Sequence, residues 1–166
     1  ATLTKEQAKL AAQELVSYTD VIVKAVHRLR LAGCADTQIG FSFTDQPLWW
    51  ANNPFSPADN SCQVFSINGG KVSFSVLNES WFAVPTSTPY GYPNGEIVIK
   101  GIGTTAPELL FAISDLKWPI CEEINKMLSI SPGTFQEVMT TPTGNFAGTY
   151  VPLPNGIGDD VGSPFV

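Results

Sequence analysis

The sequence predicts an α+β fold in which one long N-terminal α-helix packs on an antiparallel β-sheet of three to five strands, with two short helices. Three observations lead there. Residues 4–32 keep a helical period without a break, residues 62–77 alternate apolar and small polar side chains around Asn68-Gly69-Gly70, and helix-start signals recur near Thr105 and Pro119. At 166 residues and 43% hydrophobic content the chain holds one core and not two. A single domain over 1–166 is expected, with a helical spine at 4–32 and a globular head at 33–166.

The spine is bounded by local chemistry. Thr4 and Gln7 form a T-x-x-Q capping pair that supplies partners to two backbone groups otherwise orphaned at a helix start. Gly33 offers the left-handed position at which a helix can stop. Between them Ala8, Ala11, Leu15, Tyr18, Ile22, Ala25 and Leu29 recur at steps of three and four and form one apolar stripe. Lys5, Glu6, Asp20, Lys24, His27, Arg28 and Arg30 lie off that stripe. A helix of this length spans roughly 40 Å at 1.5 Å per residue.

After Gly33, residues 34–43 read as a turn and a short extended piece with Ile39, Phe41 and Phe43 alternating. The proline- and asparagine-rich connection that follows excludes regular structure and carries Leu48, Trp49, Trp50 and Phe55. Residues 62–67 and 71–77 read as a hairpin across Asn-Gly-Gly, whose residues tolerate the positive φ of a tight turn. Residues 81–84 extend the sheet and 96–102 supply a further strand. Thr105 and Glu108 repeat the capping logic and place a helix at 107–114, and a second runs from Trp118 or Pro119 to Leu128. Beyond Ser129, Pro and Gly recur too often for long elements, apart from a strand at 146–151.

Composition narrows the function. Charged residues are only 14% of the chain, which is the habit of a secreted, loop-rich protein. The net charge of −6 offers no broad field for a phosphate backbone, so no nucleic-acid partner is expected. Cys34, Cys62 and Cys121 stand far apart with a single histidine, His27, which disfavours a zinc site and favours a disulfide. The preferred pair is Cys34 with Cys62, tying the spine to the first hairpin strand, with Cys121 free or paired outside the chain. Cys62 with Cys121 is the rival.

No catalytic constellation stands out, and the chain is read as a non-enzyme without cofactor. His27 lies mid-helix between Val26 and Arg28, where a solvated histidine is the simpler reading than a triad base. Glu122 and Glu123 are helix neighbours that point apart. Asp159 and Asp160 in GIGDDVGS are calcium candidates, although the D-x-D-x-D-G pattern is missing. GIGTTAP lacks the lysine of a phosphate loop. Asn78-Glu79-Ser80 is a glycosylation sequon. Trp49, Trp50, Tyr90 and Tyr92 are candidates for an aromatic binding platform.

Four stretches carry a resemblance: AVHRLRLAGCADTQIGF at 25–41, PADNSCQVFSINGG at 57–70, GIGTTAPELLFAISDL at 101–116 and CEEINKML at 121–128. Together they resemble bacterial type IV pilin-like proteins and pseudopilins, most particularly in the L-R-L-x-G-C-x-D-T-Q-I junction and the S-C-x-V-F-x-x-x-G-G segment. The resemblance implies a hydrophobic helical half ahead of the amphipathic one, and a β-sheet head. The hydrophobic half is absent here, so the chain is expected to begin partway along such a helix. Members often close with a further cysteine, so a trimmed tail accounts for the odd Cys121.

The resemblance implies a structural subunit of a surface filament or secretion pseudopilus, extracellular and bacterial, periplasmic before assembly. Its partners are other copies or related pilins, and it meets the inner membrane only through the missing segment. Physics adds a route: a stripe projecting past its head is buried only against other copies, and an unclosed head-to-tail contact makes a filament. Ala8, Ala11, Leu15, Tyr18 and Ile22 are the candidate assembly residues; the alternative, above all for 18–29, is that the stripe rests on the sheet of its own head. The runner-up function is a secreted carbohydrate- or protein-binding module using the aromatic loops.

Overall fold

The computed structural model describes residues 2–42, 53–83, 90–97, 108–113 and 115–129. Helix α1 runs Lys5–Leu31. Its N-cap is Thr4, whose hydroxyl accepts the Gln7 N–H at 3.2 Å while the Thr4 N–H donates to Gln7 Oε1 at 2.9 Å. At the other end the Cys34 N–H reaches back to Leu29 O and the Gly33 N–H to Arg30 O. That is the paired closure made by a left-handed residue after the C-cap, and Gly33 sits at φ +100°.

One α1 stripe is covered along its length by two separate clusters. Ala8, Ala11, Ala12 and Leu15 pack with Trp81, Phe82, Ile120 and Ile124. Ile22, Ala25 and Leu29 pack with Cys34, Ile39, Phe41, Cys62, Val64 and Val72. Alanines at four of the seven buried α1 positions let neighbouring backbone approach closely, and each fully buried Leu or Ile contributes about 1.5–3 kcal/mol.

The expected antiparallel sheet of three to five strands under the helix is overturned. Among the described residues there are two helices, and strand is confined to one irregular pair. β1 (Tyr90–Ile97) lies antiparallel to β2 (Glu108–Ala112), in register from Tyr90 with Ala112 to Tyr92 with Leu110, then shifted before Ile97 with Glu108. Pro93, Asn94 and Gly95 fall in that shift, as befits residues poor at ladder pairing.

The hairpin expected over 62–67 and 71–77 does not form. Gly40 takes its place: the Gly40 N–H donates to Cys62 O and the Val64 N–H to Gly40 O, a lone parallel bridge opposite Gln63. With those groups consumed, the chain curls back in consecutive turns, closed by Gly70 N–H to Gln63 O, Lys71 N–H to Ser66 O and Val72 N–H to Val64 O. The glycines permit the curl. A methyl on Gly69 would stand 2.3 Å from Gln63 O, and one on Gly70 would stand 2.5 Å from Val64 O.

Two further expectations change. The helix expected at 107–114 is replaced at its described positions by β2. Leu109 and Phe111 pack against one core and Ile113 against the other, a period of two that helix geometry cannot satisfy. Trp81 belongs to a single 3₁₀ turn, Glu79–Trp81, and only Phe82 bridges onward, antiparallel to Leu116. The second helix, α2, spans Trp118–Met127 with proline in its first turn and lays Ile120 and Ile124 on α1. Of the strand expected at 96–102, Glu96 and Ile97 fall in β1 and the rest lies outside the described residues, as does the strand expected at 146–151. Among the described residues no helix is long and apolar enough to cross a membrane.

Candidate functional surface

Among the described residues, covalent and polar contacts converge on the junction at the end of α1. Cys34 and Cys62 are disulfide-bonded, with Cα atoms 5.8 Å apart, and both are buried. Arg30 grips Asp36 through two hydrogen bonds, Nε to Oδ1 at 2.6 Å and Nη2 to Oδ2 at 3.1 Å. Asp36 opens a 3₁₀ turn, Asp36–Gln38, that delivers Ile39 into the core with no exposure. Arg28 donates to Gly70 O at 2.9 Å, so the same last turn of the helix holds the curled segment as well.

A second layer of polar contacts fixes the loop behind the junction. Asn53 is buried, donates to Thr37 O and Ile39 O, and accepts the Phe55 N–H. Gln63, also buried, accepts the Ser42 N–H through Oε1. Ser56 donates its hydroxyl to Gln38 O. Neither Asn53 nor Gln63 was singled out from the sequence. The available signal was slight: polar residues placed among aromatics and glycines near a cysteine.

The sequence-predicted sites distribute as follows. Ala8, Ala11, Leu15 and Ile22 are buried in the chain's own clusters, and Tyr18 packs beside the second of them. The Tyr18 ring meets Phe111 edge-on at 6.3 Å and its hydroxyl receives the Ser75 N–H at 3.4 Å. Burial raises the Tyr18 pKa above the usual phenol value, opposed in part by that hydrogen bond. The expectation that this stripe waits for other copies is therefore corrected: its own head covers it. What α1 leaves outward is Leu10 (64% exposed), Val21, Val23 and Leu31 among Lys24, Arg28 and other charges.

Cys121 is half-buried, without a disulfide partner, and burial pushes its thiol up to about 11. Glu123 pairs with Lys126 at 2.7 Å, which holds the carboxylate below its usual range, with Lys5 and Lys9 of α1 adding to the effect. Glu122 is exposed, and so is His27. Trp49, Trp50, Asp159 and Asp160 lie outside the described residues, and Tyr90 and Tyr92 are described only as backbone of β1. Among the described residues no group of three His, Cys, Asp or Glu side chains is placed to hold a metal. Comparison with protein-family models, curated proteins and solved structures finds no match to this chain.

Proposed function

We propose that this chain is a structural, non-catalytic subunit of an extracellular type IV pilus-like filament or secretion pseudopilus. The observation that carries the reading is the weld between helix and head. The L-R-L-x-G-C-x-D-T-Q-I segment, on which the resemblance rests, coincides with the Schellman closure, the Arg30 to Asp36 grip, the Cys34 to Cys62 bond and the buried Ile39. A part that transmits position from a helix to a head needs such a rigid joint. The disulfide also suits an oxidising compartment.

In this reading the inward stripe holds the head and the outward face of α1 meets sister subunits through Leu10, Val21 and Leu31. The test is electron microscopy of native surface material labelled with an antibody against this chain. Labelled helical filaments are expected, and Leu10→Asp with Val21→Asp should cut their number at least tenfold while leaving the head folded. Recovery of the chain only as a free secreted species, or wild-type filament yield from the double variant, overturns the proposal.

A further inference from the structure

The surface turn just before Trp81 holds the one Asn-x-Ser/Thr sequence in the chain, Asn78-Glu79-Ser80. A side-chain amide nitrogen is a poor nucleophile, because its lone pair is shared with the carbonyl. Glycosyl transfer to it needs an amide that is exposed, unencumbered and polarised through its oxygen. Asn78 meets each condition. Its Oδ1 accepts the Ser80 N–H at 2.9 Å, which closes an Asx turn and draws electron density toward the oxygen. Its Nδ2 makes no hydrogen bond among the described residues, and neither does the Ser80 hydroxyl. Asn78, Glu79 and Ser80 are all exposed.

The fold holds that amide outward. Asn78 caps the single turn Glu79–Trp81, and Trp81 and Phe82 are buried against the first half of α1. The turn is thereby pinned at its inner end while its cap stays at the surface. The other described asparagines differ. Asn53 and Asn125 are buried, and Asn68 commits its Nδ2 to Asp59 O. Asn60 precedes Ser61 and Cys62, and the sulfur of that cysteine is consumed in the bond to Cys34. Motif and accessibility therefore converge on one side chain.

We propose that Asn78 is an N-glycosylation site, its Nδ2 taking an oligosaccharide from a lipid pyrophosphate-linked donor. In the transfer a bond forms between Nδ2 and the anomeric carbon, and the bond from that carbon to the pyrophosphate oxygen breaks. The lipid pyrophosphate leaves with the electron pair, and Nδ2 gives up one proton to a base of the transferase. No oxidation or reduction takes place. The site suits a chain whose Cys34 to Cys62 bond belongs to an oxidising compartment, and it requires export but no filament. A glycan there stands two residues from Val76, which is 89% exposed, and screens that apolar side chain from other proteins.

The test is mass spectrometry of the full chain purified from its native source. Trypsin cuts after Lys71 and Lys100 and yields residues 72–100 as one peptide. That peptide should carry a sugar mass, and electron-transfer fragmentation should place it on Asn78. Ser80→Ala keeps the backbone N–H of the turn and removes only a hydroxyl, so it should leave the melting temperature unchanged and cut glycan occupancy at least tenfold. Ser80→Thr should retain the glycan. An unmodified Asn78 in native material, sugar placed on a serine of the same peptide, or undiminished occupancy in Ser80→Ala overturns the proposal.

Discussion

Asn125 lies on the buried face of α2 with 2% exposure, and neither its amide nitrogen nor its oxygen has a hydrogen-bond partner among the described residues. A buried polar group left unmade costs about 1–3 kcal/mol, whereas an apolar side chain of similar volume carries no such cost. Asn125→Leu is therefore expected to raise stability by about 1 kcal/mol, read as a higher denaturant midpoint with an unchanged slope. Cys121 makes a different prediction. Its pKa of about 11 in the fold exceeds the unfolded value, so the folded chain holds its proton where the unfolded chain has released it. The associated stability is fully present below about pH 9 and is lost as pH rises through 11. Cys121→Ala should flatten the fall in melting temperature across that window, and wild-type Cys121 should react with a thiol reagent at pH 8 far more slowly folded than unfolded.

Among the elements, α1 was legible because its limits are local. Thr4, Gln7 and Gly33 decide its ends by contacts within four or five residues, and the three-and-four spacing marks the buried stripe whatever covers it. The hairpin was not legible, because its fate turns on Gly40, which sits more than twenty residues upstream and occupies the backbone of Cys62 and Val64. The strand β2 was misread because a capping pair, Thr105 and Glu108, reads as strongly as the alternation of Leu109, Phe111 and Ile113. Only tertiary burial arbitrates between those two periods. The candidate surface divides the same way: the cysteine pair and the junction motif stand in the sequence, while Asn53 and Gln63 act through distant carbonyls and amides. The junction also makes an element-scale prediction. Closing the loop from Cys34 to Cys62, 28 residues apart, stabilises by roughly 3–4 kcal/mol in the chain-entropy picture. Reduction should remove that amount in denaturant titration. Amide exchange should then rise first at Ile22 to Leu29, beside the lost bond, and last at Ala8 to Leu15, which α2 and Trp81 still cover.

At the scale of the whole molecule, the described residues form two clusters strung on one helix rather than a helix laid on a sheet. The cluster at the start of α1 draws on residues 81–82 and 120–124, and the cluster at its end draws on residues 34–72, so each half of the helix answers to a different stretch of chain. That division follows from the alanines. Ala8, Ala11, Ala12 and Ala25 bury little surface of their own, and the larger partners must come from whichever segment can reach them.

The covalent clip at the helix end also sets how the protein responds to tension. A chain drawn out from both ends cannot pay out the residues held between Cys34 and Cys62 while the sulfurs stay joined. At roughly 3.4 Å per extended residue, and less the 5.8 Å that the bridge itself spans, the 28-residue separation hides about 90 Å of contour length. Optical-tweezer traces should therefore lengthen by about that amount once a reductant is added, and an unchanged final extension would mean the clip is not closed in the folded molecule.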